Sequence, residues 1–317
     1  MTAQLINGRD GFNKSDEESY RKALTLFEQA LNKDPTLARA WSGIAAVWNY
    51  LADVYVRPLE GYPASRDAAL KALAIDPRNV QALCYLAEAN QILHWDMKGA
   101  DAQFREAIKI DPNYGEAYLF LGISLIHQGE RETGSAALRQ AVKLDPLSAS
   151  TRHFVSGQLT LAGMLDEALV EAKRTYELDP TYLYESSRLG QIYLAKGDLE
   201  EAIKLYEEGE RRTRRPSAGL AIAYARIGRK ADAEGKLEEL LQKARQTYYR
   251  ADQIATVYAA LGQTEMALEW LERAYSEHSS SLFMIGVRSE FRPLRQDPRF
   301  VDLVKRIGLD PAKVFRD

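Results

Sequence analysis

Cysteine is almost absent from this chain, and the one residue present, Cys84, excludes an internal disulfide and a cysteine-rich zinc site. Histidine is scarce too, with four residues in 317. No two histidines stand four residues apart, so the helical zinc-ligand motif is missing, as is a glycine-rich phosphate loop. We therefore expect no catalytic residues, no metal site and no cofactor, and we predict that the protein is not an enzyme.

The chain also lacks a large excess of charge of one sign and long apolar runs. Charged residues make up 27% of the chain, yet the formal net charge is −3, which gives no overall field to hold nucleic acid or an anionic membrane. No run of about 18 apolar residues occurs, and the first residues lack the basic-then-apolar order of a secretory signal. These absences predict a cytoplasmic protein without a direct nucleic-acid partner and without membrane contact.

The chain does contain a repeated spacing. Asp-Pro pairs recur at steps of 42, 35, 34 and 34 residues, with their prolines at Pro35, Pro77, Pro112, Pro146 and Pro180. Glycines recur between them at steps of 34, 34, 31 and 34 residues, at Gly129, Gly163, Gly197, Gly228 and Gly262. A period of 34 residues is typical of stacked helix–turn–helix units.

The stretch from Gly115 to Pro146 illustrates one unit. Apolar residues recur at helical spacing on both sides of Gly129, which predicts two helices with the glycine between them. Gly129 suits the left-handed residue just after a helix end, where a missing Cβ removes the steric cost. Pro146 disfavours the α conformation at Asp145, so the second helix should end there.

This pattern resembles the tetratricopeptide repeat (TPR), and the resemblance covers nearly the whole chain. The family keeps mostly small side chains at three positions where paired helices touch. The first position holds Ala45, Ala87, Gly122, Ser156, Gly190, Ala221 and Ala255 in successive units. The second holds Ala23, Ser65, Ala100, Gly134, Ala168, Ala202, Ala233 and Ala267. The third holds Ala30, Ala72, Ala107, Ala141, Thr175, Gly209, Leu240 and Ala274. The resemblance implies an all-α, right-handed superhelical solenoid whose first helices line a concave groove.

The repeats predict three regions. Residues 1–35 form an irregular N-terminal unit, residues 36–275 about seven units, and residues 276–317 a C-terminal capping segment. The second unit is eight residues too long, and the excess lies at 50–63, where we expect an extended first helix followed by a loop. Asp297 and Pro298 are typical of a helix start, so a terminal capping helix is predicted near Asp297–Ile307.

The segment at 291–300, Phe-Arg-Pro-Leu-Arg-Gln-Asp-Pro-Arg-Phe, resembles the close of one particular TPR module. The Trp95-Asp96 turn and Gly8-Arg9 resemble the same subfamily. Such modules lie at the C-terminal end of bacterial multidomain regulators, behind a winged-helix, Ser/Thr kinase or adenylate cyclase domain. The resemblance implies either an excised module or a free-standing relative.

Some TPR grooves clamp a peptide carboxylate with Lys and Asn at fixed positions, and neither residue type occurs at those positions here. The central groove positions are instead apolar and aromatic, with polar residues on both sides. Such strips mark binding sites, although side chains of this kind also pack between neighbouring repeats. We expect a concave interaction site made of Tyr85, Glu88, Leu119, Phe120, Ile123, His127, His153, Phe154, Tyr184, Arg188 and Gln191.

One dense basic run, Arg211–Arg215, is the remaining candidate site. Glu207, Glu208 and Glu210 precede it by about one helical turn and offset its charge. Arginines near a helix C-terminus also complement the helix dipole without a ligand. We therefore interpret the run as a solvated helix end and not as a phosphate site.

The sequence thus favours a non-enzymatic protein–protein interaction scaffold that binds a peptide or helix in its concave groove. The subfamily resemblance implies a docking or sensor module of a bacterial signalling or transcriptional regulator. Two rival hypotheses stay open. One is a self-association module that forms a homodimer, and the other is a small-molecule sensor that uses His127, His153 and Arg188.

Overall fold

The computed structural model describes residues 17–52 and 54–315, and these residues form seventeen α-helices and two short 3₁₀-helices. The α-helices are α1 Glu17–Lys33, α2 Ala38–Leu51, α3 Pro58–Ile75, α4 Val80–His94, α5 Met97–Ile110, α6 Gly115–His127, α7 Arg131–Leu144, α8 Ala149–Leu161, α9 Leu165–Leu178, α10 Glu185–Lys196, α11 Leu199–Thr213, α12 Ala218–Arg226, α13 Lys230–Gln246, α14 Ala251–Ala260, α15 Thr264–Ser276, α16 Pro298–Arg306 and α17 Pro311–Val314. The 3₁₀-helices are Ser280–Met284 and Ser289–Leu294.

Consecutive helices pack in pairs from α2 and α3 to α14 and α15, which confirms the predicted right-handed helix–turn–helix solenoid. Each pair needs small side chains at its contact so that the two backbones approach closely. A Cβ on Gly122 of α6 would lie 2.9 Å from the Gly134 carbonyl oxygen of α7, and a Cβ on Gly115 would lie 3.3 Å from the carbonyl oxygen of Ala141, which is fully buried. The predicted repeat register is therefore the register of the core. None of the helices in the described ranges is long and apolar enough to cross a membrane.

Five of the seven turns inside the pairs from α2 and α3 to α14 and α15 follow the predicted chemistry. The five turn glycines, from Gly129 to Gly262, have φ between +73° and +85°. In the third unit Trp95 takes this left-handed conformation at φ +55° and ends α4. Asp96 then caps α5, because its side chain accepts a hydrogen bond from the Gly99 amide at 2.9 Å.

The excess residues of the second unit lie in a different place from the one expected. Helix α2 ends at Leu51, so the prediction of an extended first helix is wrong. The Leu51 carbonyl accepts bonds from the amides of Tyr55 and Val56, which folds the chain back at once. Pro58 then starts α3 early, because its fixed φ and missing N–H suit a first helical position. The excess therefore becomes a tight turn, called here the inserted turn (52 and 54–57), and a longer second helix.

The terminal helix is confirmed as α16, capped by the Asp297 carboxylate, which accepts from the Arg299 amide at 2.9 Å. Gly308 follows with φ +79°. The expected irregular first helix and the Gly8-Arg9 resemblance lie outside the described residues.

The solenoid curves until distant units meet, and two sets of contacts bridge its concave groove. In the third unit the Trp95 ring stacks on Tyr275 and His278 at centroid distances of 5.4 and 5.1 Å, and His278 Nδ1 donates to the Ile92 carbonyl. In the second unit the inserted turn reaches the later repeats, where the hydroxyls of Tyr55 and Tyr184 lie 2.8 Å apart. The groove is therefore a channel, not the open trough that stacked repeats alone predict.

Candidate functional site

The channel encloses about 1020 Å³ between the first helices and the C-terminal 3₁₀ segments. Nine of the eleven residues predicted for the groove line it: Glu88, Phe120, Ile123, His127, His153, Phe154, Tyr184, Arg188 and Gln191. Helices α4, α6, α8 and α10 carry all of these except Tyr184, which directly precedes α10. The helical period and the small contact residues therefore place these side chains on one surface.

Tyr85 and Leu119 lie beneath that surface instead. Tyr85 is 1% exposed and donates from its hydroxyl to Glu116 Oε1 at 2.5 Å. Its ring meets the Phe120 ring edge-on at 5.5 Å. Leu119 is buried in a core cluster with residues of α8, including Val155. These two residues support the lining of the channel from behind.

Glu88 brings a carboxyl group to the channel wall. Burial, and after it the Glu116 carboxylate, raises the pKa of Glu88 to about 8, against a lowering by the Asn49 amide. Its Oε2 is buried and has no hydrogen-bond partner among the described residues. At neutral pH the group is therefore mostly protonated and able to donate a hydrogen bond.

His153 acts as a support for Arg188. Its Nδ1 lies 2.7 Å from the buried Glu185 carboxylate, and its Nε2 lies 3.3 Å from Arg188 Nη2. Burial and the Arg188 charge lower the pKa of His153, against the opposite effect of Glu185. The neutral ring donates from Nδ1 and accepts at Nε2. It therefore orients the guanidinium, which also donates to Gln191.

Gly157 gives the Arg188 guanidinium its space. A Cβ at position 157 would lie 2.5 Å from Arg188 Cζ, well inside van der Waals contact. The Arg188 Nε is buried without a partner in the described part of the chain. Arg188 is thus oriented by neutral groups and retains unused hydrogen-bonding capacity.

His127 is buried on the channel wall, and burial lowers its pKa to about 4, against a partial rise from Gln158. Among the described residues, no hydrogen bond or ring contact joins His127 to His153, and no group of three His, Cys, Asp or Glu side chains is placed to hold a metal ion. Both histidines are neutral wall residues in this structure.

Aromatic rings fill the N-terminal half of the channel. Tyr20 stacks on Tyr50 at 5.7 Å and lies 6.4 Å from Tyr55, and Tyr50 lies 6.5 Å from Phe154. These rings and Phe120 form what we call the aromatic section. Sequence reasoning missed the three tyrosines because they come from α1, the end of α2 and the inserted turn. The tyrosine content of the overlong second unit was a signal for Tyr50 and Tyr55, and Tyr20 had none.

Arginines dominate the charges of the channel. Seven arginines and three glutamates line it, without lysine or aspartate among the described lining residues. Sequence reasoning identified only Arg188 among the seven. The others are Arg131, Arg215, Arg226, Arg250, Arg288 and Arg292.

The basic run at 211–215 turns partly inward, so its interpretation as a solvated helix end is wrong for two residues. Arg212 donates to the Tyr182 carbonyl at 3.0 Å and to Ser186 Oγ at 3.2 Å. Arg215 donates to the Val54 carbonyl of the inserted turn at 3.3 Å. Both side chains hold parts of the channel wall in place.

Comparisons with known proteins agree with this architecture. Three segments match models of the tetratricopeptide repeat, at 115–146, 186–216 and 255–273. Among solved structures, the human IFIT1 dimer with m7Gppp-AAAA is similar with a TM-score of 0.59 and 15% identity, over 93% of this chain and 76% of that chain. At that identity the likeness shows a shared fold.

Two further solved structures are less similar overall. Yeast Tom70 gives a TM-score of 0.49 and 17% identity, over 96% of this chain and 67% of that chain. YrrB, described as a TPR protein with an unusual peptide-binding site, gives a TM-score of 0.37 and 21% identity, over 58% of this chain and 90% of that chain.

Proposed function

We propose that this chain of tetratricopeptide repeats is a non-enzymatic scaffold that binds a protein segment in its channel. The observation that supports this most is the lining itself. Aromatic rings and oriented polar groups face one space of about 1020 Å³, at the upper end of the roughly 300–1,000 Å³ typical of small-molecule sites. Aromatic side chains and arginine are the residue types that dominate binding energy at protein interfaces.

The two histidines of the channel support a binding role over catalysis. General acid–base chemistry needs a titratable group free to exchange a proton with a substrate. His153 has both ring nitrogens engaged, and His127 is buried and neutral. We propose on the sequence resemblance alone that the scaffold is a docking or sensor module of a bacterial regulator in the cytoplasm.

Selection from a phage-displayed peptide library on the purified protein tests this function. Peptides that are enriched should bind the wild type and lose affinity by about 1–4 kcal/mol when Phe154 is replaced by Ala. Phe154 is only partly buried, so the fold should survive. Val170→Ala is the matched control, because Val170 is 63% exposed on the outer helix α9. Failure to enrich any peptide, or equal losses in both variants, would contradict the proposal.

The bridged groove supports a second candidate, a small-molecule sensor. An enclosed space removes more ligand surface from water than an open trough does. A rise in melting temperature with pooled metabolites, abolished by Arg188→Gln, would favour this candidate. The phage selection would then enrich nothing.

A further inference from the structure

The C-terminal half of the channel contains an arginine cluster, defined as Arg188, Arg226, Arg250 and Arg288, all of which line the same space. Among the described residues of the lining, Glu290 is the carboxylate that pairs with them, and it lies 3.1 Å from Arg226 and 3.6 Å from Arg288. One carboxylate therefore serves two guanidinium groups. The surface of this half presents an excess of positive charge.

Among residues 17–52 and 54–315, two further acidic groups near the cluster lie below the channel surface. Asp252, 3.7 Å from Arg250, has a side chain only 2% exposed and accepts from Ser279. Glu185 is fully buried and bonds to His153. Both lie below the lining, and within residues 17–52 and 54–315 Arg188 forms no ion pair.

Like charges also act on one another inside the cluster. Burial lowers the pKa of Arg188, with Arg250 adding to the effect and Glu185 opposing it. Burial and Glu290 raise the pKa of Tyr206, while Arg288, Arg188 and Arg226 act in the opposite direction. The charges of three of the four arginines therefore act on one buried tyrosine. An arrangement of this kind stores electrostatic repulsion that an incoming anion relieves.

The sign of the cluster contrasts with the sign of the whole chain. The chain carries a formal net charge of −3, whereas the channel lining has seven arginines and three glutamates. Glu88 is mostly protonated at neutral pH, and Glu210 is paired with Lys236 at 2.8 Å, which raises the imbalance further. A long polyanion such as nucleic acid would meet an acidic exterior. A short anionic segment confined to the channel would not.

The aromatic section and the arginine cluster are neighbours. The Phe154 ring lies 5.7 Å from the His153 ring, and His153 holds Arg188. A ligand that lies along the channel therefore meets aromatic rings first and guanidinium groups next. Guanidinium groups bind carboxylates through paired, charge-assisted hydrogen bonds.

We propose that the channel recognises an acidic protein segment, with an aromatic or aliphatic side chain in the aromatic section and adjacent carboxylates on the arginine cluster. This inference rests on the proposed function, since it names the class of segment that the same channel binds. It assigns Arg188 and Arg250 as specificity-determining residues. Lysine and asparagine, which build the carboxylate clamp in the resembling family, have no part in it.

Three fluorescein-labelled peptides of equal length and equal phenylalanine content test this assignment: one rich in glutamate, one neutral and one rich in lysine. Fluorescence anisotropy should show that the acidic peptide binds at least about tenfold more tightly than the neutral one, because charge-assisted hydrogen bonds add to the aromatic contact. Added salt should narrow that difference. The lysine-rich peptide should bind most weakly.

Variant proteins show which residues cause the preference for the acidic peptide. Arg188→Gln with Arg250→Gln should remove the preference for the acidic peptide, whereas Arg174→Gln on the outside of α9 should leave it unchanged. Glu290→Gln should increase the preference, since it removes the competing carboxylate. Melting curves provide the structural control. The double Gln variant should melt no earlier than the wild type because it relieves repulsion, and Arg188→Lys serves as a milder replacement if that variant fails to fold.

Each of the other outcomes contradicts one stated part of the proposal. Equal binding of the acidic and neutral peptides, with loss on Phe154→Ala, overturns the acidic assignment and leaves the proposed function standing. No binding by any of the three peptides, after phage selection has also failed, contradicts the proposed function itself. Tighter binding of a short fluorescein-labelled oligothymidylate than of the acidic peptide would assign the cluster to nucleic acid. Binding of inorganic tripolyphosphate alone would assign it to small anions.

Discussion

The carboxyl group of Glu88 lies on α4 at the channel wall, near the Glu116 carboxylate, which accepts hydrogen bonds from Tyr50, Tyr85 and Tyr114. Those three bonds hold the Glu116 side chain in place, and its charge adds to the effect of burial on the pKa of Glu88. A pattern of residue types along the chain contains no such information. At this scale the local environment decides what a titratable group does.

The raised pKa of Glu88 makes stability depend on pH with a definite sign. The folded protein holds this proton up to about pH 8, whereas an unfolded glutamate loses it near 4.5. The folded state therefore binds more protons between these values, and the free energy of unfolding falls as pH rises through them. Glu88→Gln should remove this component. The free energy of unfolding of the Glu88→Gln variant, relative to that of the wild type, should increase from pH 4.5 to pH 8. The increase should be at most a few kcal/mol, because the Glu88 side chain is only partly buried.

Chemical denaturation of both proteins across this range measures the difference. His127 affects the free energy of unfolding in the opposite direction. Its pKa is lowered to about 4, so its contribution to stability is lost as the pH falls below the ordinary histidine value of 6.5. That contribution is present in both proteins and cancels in the comparison. Parallel stability curves for wild type and Glu88→Gln would show that Glu88 is ionised in the folded state.

At the scale of paired helices, the contact between α6 and α7 shows what stabilises a pair. A Cβ added to Gly122 would lie 2.7 Å from Leu138 Cδ2 and 2.9 Å from the Gly134 carbonyl oxygen, which is part of a backbone that cannot move aside freely. Gly122→Ala should therefore destabilise by about 1–3 kcal/mol, and Gly122→Leu by at least as much. Thermal melting gives both values.

Gly235 in α13 provides the contrasting substitution. It is exposed, its φ is not left-handed, and a Cβ there meets nothing within 4 Å. Gly235→Ala should stabilise by about 0.5–1 kcal/mol because alanine favours the helix and restricts the unfolded chain. Changes of the same sign at Gly122 and Gly235 would show that helix propensity, and not close packing, controls the pair.

Two effects of opposite sign on stability meet at Trp95. Its left-handed backbone costs about 1–2 kcal/mol relative to glycine, while its ring stacks on Tyr275 and His278 and meets Phe283 edge-on at 5.2 Å. Trp95→Ala should lose the ring contacts at a cost of about 2–4 kcal/mol. Trp95→Gly should lose the same contacts but recover about 1 kcal/mol of backbone cost. Equal stability of the two variants would show that the backbone at Trp95 is unstrained.

At the scale of the whole molecule, the bridged groove couples repeats that are far apart in sequence. One core cluster contains Ile92 and Met97 from the third unit together with Phe283, Phe300 and Val314 from the C-terminal segment. A simple solenoid has contacts only between neighbours, so its ends unfold independently. Here the ends share a core, and we expect them to unfold together.

Breaking the shared core should separate the two ends. In Trp95→Ala, amide hydrogen exchange should accelerate at 280–294 and around the end of α4, and should change little in α8 and α9. Denaturant unfolding should become two-step. Trp41→Ala is the control, because Trp41 lies on α2 under Lys71 and takes no part in the bridge. A single cooperative transition in Trp95→Ala would mean that other contacts couple the ends.

The repeat spacing, the turn glycines and the small contact residues predicted the helix pairs, their register and the terminal helix. They did so because each depends on residues a few positions apart: a period of 3.6, a glycine after a helix end, a proline at a helix start. The same local rules placed nine of eleven groove residues on the channel wall. They also assigned Tyr85 and Leu119 to the groove, where the structure buries both beneath the lining, since adjacent positions on a first helix differ only in which neighbour covers them.

The channel itself was decided by tertiary structure. Tyr55 meets Tyr184 across 129 residues, and His278 meets Ile92 across 186. Which distant surfaces meet depends on a small rotation per repeat summed over the array, and an overlong unit or a short helix such as α12 changes that sum. No local pattern contains the sum. The sequence therefore determined the repeat and its core, while the curvature of the stacked repeats decided that arginines from separate units, Arg188, Arg250 and Arg288, line one space.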